Sequence, residues 1–539
     1  MKSELMKQDL WIGGVLRNLV GRGVEDFVLC AGSRNSPLLA ILGSASGLDL
    51  FSHFEERSGA FFALGRARAK DRPVAIVTTS GTAVAECLPA VIEARYSGVP
   101  LVVVSADRPR RYRGTGAPQS IEQVGIFGPY AATLDLEKGE GLDLSAWSGR
   151  EPLHLNLCLD EPLLEAPALA LDFESPPALP SRDLVDLTAA RREAQAFLAR
   201  SRRPLVLVGA LAAADRPAVA EFLADLGAPV WAEAISGLRE NPALGDVLLA
   251  SSERMLGRVG ADAVLRLGGV PTCRYWRDLE ALGLPVLSIS SEPFSGSPGS
   301  RLLRAPVGAL IASLEFSGVA PDAALRTLDR AAAERLRELY SRFPESEPAL
   351  MHKLSRRIPT GSRIFLGNSL AIREWDLAAD RRDRGFDCRA NRGANGIDGE
   401  VSTFLGLVDE ARSNWGIFGD LTSLYDLAAP WILPQLIEGG RDPELRIVVV
   451  NNGGGRIFSR LPAIRRHVPD RVRRRFFECE HPLDFEGWAK LWDLGYELST
   501  QGLPPHEPGF RQGILELRPD AEQSEAFWRE AAAFWDGLG

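Results

Sequence analysis

Two short runs carry the residue types of a metal–phosphate clamp. Gly419-Asp420-Leu421-Thr422-Ser423 offers one carboxylate and two hydroxyls, and Asn451-Asn452-Gly453-Gly454-Gly455 offers two amides followed by three glycines. Carboxylate, amide and backbone carbonyl oxygens are hard ligands suited to Mg²⁺, which also keeps substrate phosphate oxygens in its shell. Glycines let the backbone close on a diphosphate. Taken singly, each run is more often a capped helix start or a Gly-rich turn. Their pairing favours the clamp.

The elements around these runs are suited to positioning them. Residues 447–450 form an apolar β-branched run with no polar break, as in a buried parallel strand. Trp415, Ile417 and Phe418 mark a second strand, and residues 424–436 are long and apolar enough for a crossover helix. One βαβ unit then sets both runs at the carboxyl ends of strands, where open α/β sheets bind ligands. The same rhythm recurs near the N-terminus, after an amphipathic helix built on Leu10, Ile12, Val15, Leu16, Leu19 and Val20. Phe27-Val28-Leu29-Cys30 leads into the polar loop Ala31-Gly32-Ser33-Arg34-Asn35-Ser36-Pro37. Phe51-Ser52-His53-Phe54 reads as a strand leading into Glu55-Glu56-Arg57, where glutamates at a helix start are ordinarily caps. Strands at 74–78 and 101–105 run into Thr79-Ser80-Gly81-Thr82 and Ala106-Asp107-Arg108-Pro109. Strands alternating with helices predict a mostly parallel sheet.

The Pro-rich stretch 174–182 reads as an inter-domain linker. Beyond it, strands at 204–208, 263–267 and 286–289 predict a second, Rossmann-like region, but no G-x-G-x-x-G follows a strand, so no dinucleotide is expected there. A charged helix over 323–343 leads to a third region near Pro344. Length agrees, since 539 residues correspond to roughly three domains of ordinary size. A composition of 45% apolar and 25% charged residues supplies real cores, and a net charge of −9 argues against general nucleic-acid binding. Six cysteines without C-x-x-C pairing suggest a reducing compartment, and the dispersed histidines give no ligand pair. With no signal peptide or membrane span in view, a cytoplasmic protein is expected. The arginine-rich segment 465–475 reads as a solvated face, diluted by Asp470, Glu478 and Glu480, or as an anion contact.

Nine segments, in order, carry a family resemblance: AGSRNSPL (31–38), HFEERSGAFFALGRA (53–67), TTSGTAVAECLPAVIEA (78–94), SADRP (105–109), GAPQSIEQVGIFG (116–128), GNSLAIREWD (367–376), NRGANGIDGEVST (391–403), GDLTSLYDL (419–427) and NNGGGRIFSRLP (451–462). The GD…NN pair is similar to the diphosphate–Mg²⁺ motif of thiamine diphosphate enzymes. Among these, the whole chain resembles the 2-succinyl-5-enolpyruvyl-6-hydroxy-3-cyclohexene-1-carboxylate synthases of menaquinone biosynthesis. The resemblance implies an α/β protein of three doubly wound parallel-sheet domains: a pyrimidine-binding domain over 1–175, a central Rossmann-like domain over 183–340 and a diphosphate-binding domain over 345–539. It implies a homodimer or homotetramer with active sites between subunits, and thiamine diphosphate with Mg²⁺ (or Mn²⁺) as cofactors. The implied reaction is decarboxylation of 2-oxoglutarate and conjugate addition of the succinyl carbanion to isochorismate.

The resemblance also implies residue roles. Asp420, the side-chain oxygen of Asn452 and the carbonyl of Gly454 would hold the metal, with Asn451 behind them. Gly419, Thr422, Ser423 and Ser369 would face the diphosphate. Glu56, rather than Glu55, would be the carboxyl group on the pyrimidine ring, which calls for partial burial and a raised pKa. Ile397 would wedge between the cofactor rings, and Ile457, Phe458 and Leu461 would wall the thiazolium. Arg34, Arg108, Arg373 and Arg392 would grip substrate carboxylates, with Ser33 and Gln119 as neutral hydrogen-bonders. Two departures stand out. The first loop has Ala31-Gly32-Ser33-Arg34-Asn35-Ser36-Pro37 where the family often has Pro-Gly-Ser-Arg-Ser-Thr-Pro, and Thr272-Cys273-Arg274 stands where the family carries a lysine, so Arg274 would take the substrate contact. Competing readings are an acetohydroxyacid synthase-like carboligase or decarboxylase, and a non-catalytic anion- or nucleotide-binding protein. Feedback control through the basic residues is a further alternative.

Overall fold

The computed structural model describes residues 2–164, 169–174, 186–500 and 509–538. Apart from Glu174, the stretch read as a linker lies outside the described residues. The chain divides into two units. One comprises Met1–Asp183, Asn391–Val408 and Leu424–Asp442, and the other Leu184–Ala390, Asp409–Ser423 and Pro443–Gly539.

The first unit holds a sheet of six parallel strands: β1 Asp26–Leu29, β2 Asp49–Ser52, β3 Val74–Thr78, β4 Leu101–Asp107, β5 Ala132–Glu137 and β6 Leu153–Cys158, ordered β2-β1-β3-β4-β6-β5. β3, β4 and β6 are buried along their whole length, and in β3 and the first half of β4 this shows in the sequence as an apolar run. The order reverses between β1 and β3, so the loops after these two strands flank the crevice where such sheets bind ligands. The second strand ends at Ser52, two residues before the expected end. Phe54 is exposed beyond it, and the His53 imidazole is used to accept the Glu55 amide at 3.1 Å.

The second unit holds two sheets. One comprises β7 Pro204–Val208, β8 Val230–Ala232, β9 Ala263–Leu267, β10 Val286–Ser290 and β11 Arg301–Arg304, ordered β11-β10-β9-β7-β8. At its reversal, between β7 and β9, the loops close on each other. A Cβ on Gly209 would sit 2.3 Å from the Gly269 carbonyl oxygen, and the Gly269 amide donates to Ala210 at 2.9 Å. Gly209 and Gly269 thus serve a loop–loop contact. The other sheet comprises β12 Arg363–Leu366, β13 Asp387–Arg389, β14 Asn414–Gly419, β15 Leu445–Val450, β16 Gly495–Ser499 and β17 Gln512–Leu517, ordered β13-β12-β14-β15-β17-β16. It repeats the order of the first sheet, and every described pairing in all three sheets is parallel. Its reversal lies between β12 and β14, which places Ser369 and Asp420 on the loops beside the crevice.

The crossover between β14 and β15 differs from the expectation of one helix over 424–436. It is broken into Asp420–Tyr425, a 3₁₀ turn Ala429–Ile432 and Leu433–Ile437. Pro430 and Pro434 cannot donate the amide bonds that would fuse these pieces, so each opens a new short turn.

Candidate active site

In the first unit the expected residues gather on loops at the carboxyl ends of strands. Glu55 and Glu56 are adjacent but differ in use. Glu55 is the N-cap of the helix Glu56–Lys70, accepting the amides of Arg57 and Ser58 at 3.0 Å each. Among the described residues, Glu56 accepts no hydrogen bond beyond its own amide. Burial holds its carboxyl above the ordinary glutamate range, with Glu55 and Glu86 adding repulsion. The helix is locked from beneath. Gly65 crosses the helix Glu400–Gly406 so closely that a Cβ would lie 2.2 Å from the Thr403 carbonyl oxygen. Buried Asp426 accepts from the Ser58 hydroxyl at 3.1 Å and from the Ser402 amide at 2.7 Å.

After β1, Asn35 ties the loop by accepting the Gly32 amide and donating to the Cys30 carbonyl, at 2.9 and 2.8 Å. This leaves Ser33 exposed at the tip. Arg34 is buried, donating to the Leu159 carbonyl at 3.2 Å and pairing with Glu161 at 3.2 Å. Arg108 donates to the Pro118 carbonyl at 3.1 Å and lies 5.4 Å from the Tyr112 ring centroid. It thereby props up exposed Gln119, whose backbone is held at a φ of 55° against Gly81. A non-glycine residue in this region is costly and clusters at functional sites. Ser369 (φ 67°) and Asn395 (φ 62°) are two more, both within motif segments. Arg392 and Ile397 are half-buried on the loop that opens Asn391–Val408. The Glu93 carboxylate holds that loop by accepting the amides of Gly393 and Ala394 at 2.8 and 2.6 Å.

In the second unit, Asp420 stands at the end of β14 and is 3% exposed. Its two oxygens accept the amides of Leu421 and Gly454, each at 2.7 Å. Burial raises its pKa against these amides and nearby His481. Gly454 has a φ of 131°, and a Cβ there would lie 2.4 Å from the Glu478 carbonyl oxygen, so only glycine turns the chain under Asp420. Asn452 donates Nδ2 to Glu347 at 3.0 Å, while its Oδ1 is buried without a hydrogen-bond partner among the described residues. Asn451 is spent on structure, donating to the Leu483 carbonyl and to Glu516. One buried carboxylate, one orphaned amide oxygen and a glycine carbonyl fit a hard divalent cation. Among the described residues, no cluster of three His, Cys, Asp or Glu side chains offers another metal site.

Around this centre, Thr422 and Ser423 are buried, and the Ser423 hydroxyl donates to the Gly419 carbonyl at 3.0 Å. Ile457 and Phe458 are half-buried, with Phe458 packed edge-on to Phe477, whereas Leu461 is exposed. Arg373 is exposed and donates to the Ser369 carbonyl. Arg274 is also exposed, with its guanidinium 3.5 Å from Asp278 one helical turn on. Its amide is accepted by Glu253 at 2.7 Å. In the basic segment, Arg473 pairs with Asp470 and Glu478 at 2.7 Å, and Glu478 also binds Arg456 and accepts the Gly455 amide. The segment is thus stitched onto the glycine turn, while Arg471, Arg474 and Arg475 remain exposed.

Several residues beside these centres take roles that their sequence positions do not announce. His481 places Nε2 3.3 Å from Asp420 Oδ2, and its Nδ1 accepts the Leu483 amide at 3.2 Å. Nε2 is buried beside the carboxylate without a hydrogen-bond partner among the described residues. Glu347 and Glu93 act on motif residues from 105 and about 300 positions away. Gln123, inside a motif segment, accepts the Gly81 amide at 2.9 Å and donates to Asn156 at 2.8 Å.

Residues 14–126 match the family model described as thiamine pyrophosphate enzyme, N-terminal TPP binding domain. Over 97% of this chain and 98% of theirs, the sequence is 40% identical to a 2-succinyl-5-enolpyruvyl-6-hydroxy-3-cyclohexene-1-carboxylate synthase from Bdellovibrio bacteriovorus. A synthase of the same name from Akkermansia muciniphila is 39% identical over 93% of this chain and 95% of its own. One from Chloroflexus aurantiacus is 34% identical over 95% and 94%. With the GD and NN runs set at adjacent strand ends around a buried carboxylate, and with likeness of this extent, the chain belongs to the 2-succinyl-5-enolpyruvyl-6-hydroxy-3-cyclohexene-1-carboxylate synthase family of thiamine diphosphate-dependent transferases.

Proposed function

We propose that the chain decarboxylates 2-oxoglutarate and adds the remaining four-carbon unit to isochorismate, giving 2-succinyl-5-enolpyruvyl-6-hydroxy-3-cyclohexene-1-carboxylate and CO₂ in menaquinone biosynthesis. The observation that carries the reading is buried Asp420, held by two amides, together with an Asn452 oxygen that has no partner among the described residues. Bound thiamine diphosphate supplies a carbon nucleophile and an electron sink for the pair left when CO₂ departs. Asp420, Asn452 Oδ1 and the Gly454 carbonyl hold Mg²⁺, with Mn²⁺ the alternative, and so anchor the diphosphate. Gly419, Thr422, Ser423 and Ser369 line its path. Glu56, its carboxyl pushed up by burial, exchanges a proton with the pyrimidine ring nitrogen. Ile397, Ile457 and Phe458 present apolar surface to the cofactor rings, and Leu461 presents it to substrate.

The dicarboxylate substrates are matched by Arg34, Arg108, Arg373 and Arg392, with Ser33 and Gln119 as hydrogen-bonders at the reacting carbon. Because Arg34 and Arg108 already hold backbone carbonyls, they give substrate only part of each guanidinium fork. Arg274 reaches substrate by leaving Asp278, an exposed pair of small worth. The proposal includes three domains at 1–175, 183–340 and 345–539, and a homodimer or homotetramer with active sites shared between subunits. Purified protein with thiamine diphosphate, MgCl₂, 2-oxoglutarate and isochorismate is expected to consume isochorismate, followed by its absorbance, only when all four are present. No loss of absorbance overturns the proposal. Equal turnover with pyruvate in place of 2-oxoglutarate favours the acetohydroxyacid synthase-like alternative.

A further inference from the structure

We infer that Glu347 is the positioning residue that decides which end of the Asn452 amide faces the cation site. The inference rests on the reading of Asp420, Asn452 and Gly454 as cation ligands. The two ends of a primary amide are alike in shape and opposite in polarity, and only the oxygen can ligate a cation. A nitrogen turned toward the site would present two donors to a positive charge. Nothing in the Asn-Asn-Gly-Gly-Gly run itself selects one orientation.

Glu347 does. Its Oε1 lies 3.0 Å from Asn452 Nδ2, and a carboxylate paired with Arg460 accepts rather than donates, so this contact selects the orientation with nitrogen toward Glu347. Oδ1 is thereby turned away and is left buried without a partner among the described residues, which is costly unless something electropositive meets it. Glu347 itself is held from several sides. Its Oε2 accepts Arg460 Nη2 at 3.2 Å, and Arg460 Nη1 binds Glu374 at 2.6 Å. The Arg460 guanidinium lies 4.3 Å from the centroid of the Trp528 ring. The Glu347 backbone amide donates to the Ser524 hydroxyl at 3.0 Å, in the first turn of the helix Glu347–Arg357, capped by Ser346. Glu347 is 4% exposed, so water does not compete for the contact. The acceptor facing Asn452 is therefore fixed before any cation arrives.

The test is calorimetric titration of MgCl₂ into the full chain with saturating thiamine diphosphate, alongside thermal unfolding of the cofactor-free protein. Glu347→Gln lets either end of its own amide face Asn452. It is expected to weaken Mg²⁺ binding roughly 10- to 100-fold, the usual effect of losing a residue that orients a ligand. The double variant Glu347→Gln/Asn452→Asp exchanges carboxylate and amide across the contact, so that an oxygen faces the site in either orientation, and it is expected to regain affinity. Wild-type affinity in Glu347→Gln overturns the inference, as does a loss the double variant does not recover. If Glu347→Gln does not fold, Glu347→Asp keeps the charge facing Arg460 and withdraws the carboxylate by one methylene. It is expected to weaken Mg²⁺ equally, and unchanged affinity overturns the inference. Asp420→Ala in the same titration separates the two levels. If it binds Mg²⁺ normally, the ligand reading itself fails. If it loses binding while Glu347→Gln keeps it, only the role of Glu347 fails.

Discussion

Glu55 and Glu56 are neighbours in sequence with opposite assignments in the structure. Glu55 spends both oxygens on the helix start, whereas Glu56 caps nothing beyond its own residue and is pushed above the ordinary carboxyl range by burial. Glu56→Gln keeps the shape and removes the exchangeable proton. It is expected to lower kcat by about 10²- to 10⁴-fold, with Mg²⁺ and thiamine diphosphate affinities nearly unchanged by calorimetry. Glu55→Gln should cost stability rather than chemistry, by about 1 kcal/mol in denaturant unfolding, because it weakens a cap. His154 supports a pH prediction. It is fully buried between Ser105 and Thr133, and burial pushes its pKa down to about 3. The unfolded chain takes up the proton near pH 6.5 and the folded chain does not. The stability His154 contributes is thus complete above that pH and is lost as pH falls toward 3. Relative to His154→Gln, wild type is expected to lose about 1.4 kcal/mol of unfolding free energy per pH unit below 6.5.

At the scale of elements, the close crossing of Glu56–Lys70 over Glu400–Gly406 is what sets the Glu56 helix. Gly65 and Gly406 meet where a Cβ on either would fall within 3 Å of backbone. Backbone cannot swing aside as a side chain tip can, so Gly65→Ala must separate the helices. A loss of about 1–3 kcal/mol is expected by chemical denaturation, together with a fall in activity as Glu56 shifts. The broken crossover between β14 and β15 shows the converse. Two prolines divide an apolar run into short turns, and one turn brings Asp426 to Ser58 and Ser402. A segment that looked like a plain connector is thus a brace for the Glu56 helix.

At the scale of the whole molecule, the first and third sheets share one strand order, each reversing where motif loops emerge. Glu56 and Asp420 belong to different units, and the proposed assembly places the two halves of each active site on different subunits. Glu56→Gln and Asp420→Ala chains are each expected to be inactive alone. Co-expressed, they should recover about a quarter of wild-type activity, because half of randomly assorted dimers carry one intact site of two. No recovery, in a preparation shown by sedimentation to contain mixed dimers, would place both residues of a site on one chain. Among the described residues no helix is long and apolar enough to cross a membrane.

Much of this was legible from sequence, for a local reason. Parallel strands buried on both faces must be apolar throughout, and the loops at their carboxyl ends must be polar and small to meet a ligand. Pattern alone therefore marks β1, β3, β4, β14 and β15 and the runs around Ser33, Gly81, Asp420 and Asn452. Strand order is another matter, because a crossover of given length can reach either neighbour; only the folded chain decides that β12 and β14 flank a crevice. The same holds for Glu347, Glu93 and His481, which act on Asn452, Gly393 and Asp420 across long stretches of chain, with no periodicity to betray them. The sequence by itself marked the side chains proposed to hold a cation and a diphosphate. The tertiary structure decided which way they point, because the orientation of an amide or a carboxylate is set by whatever is packed behind it.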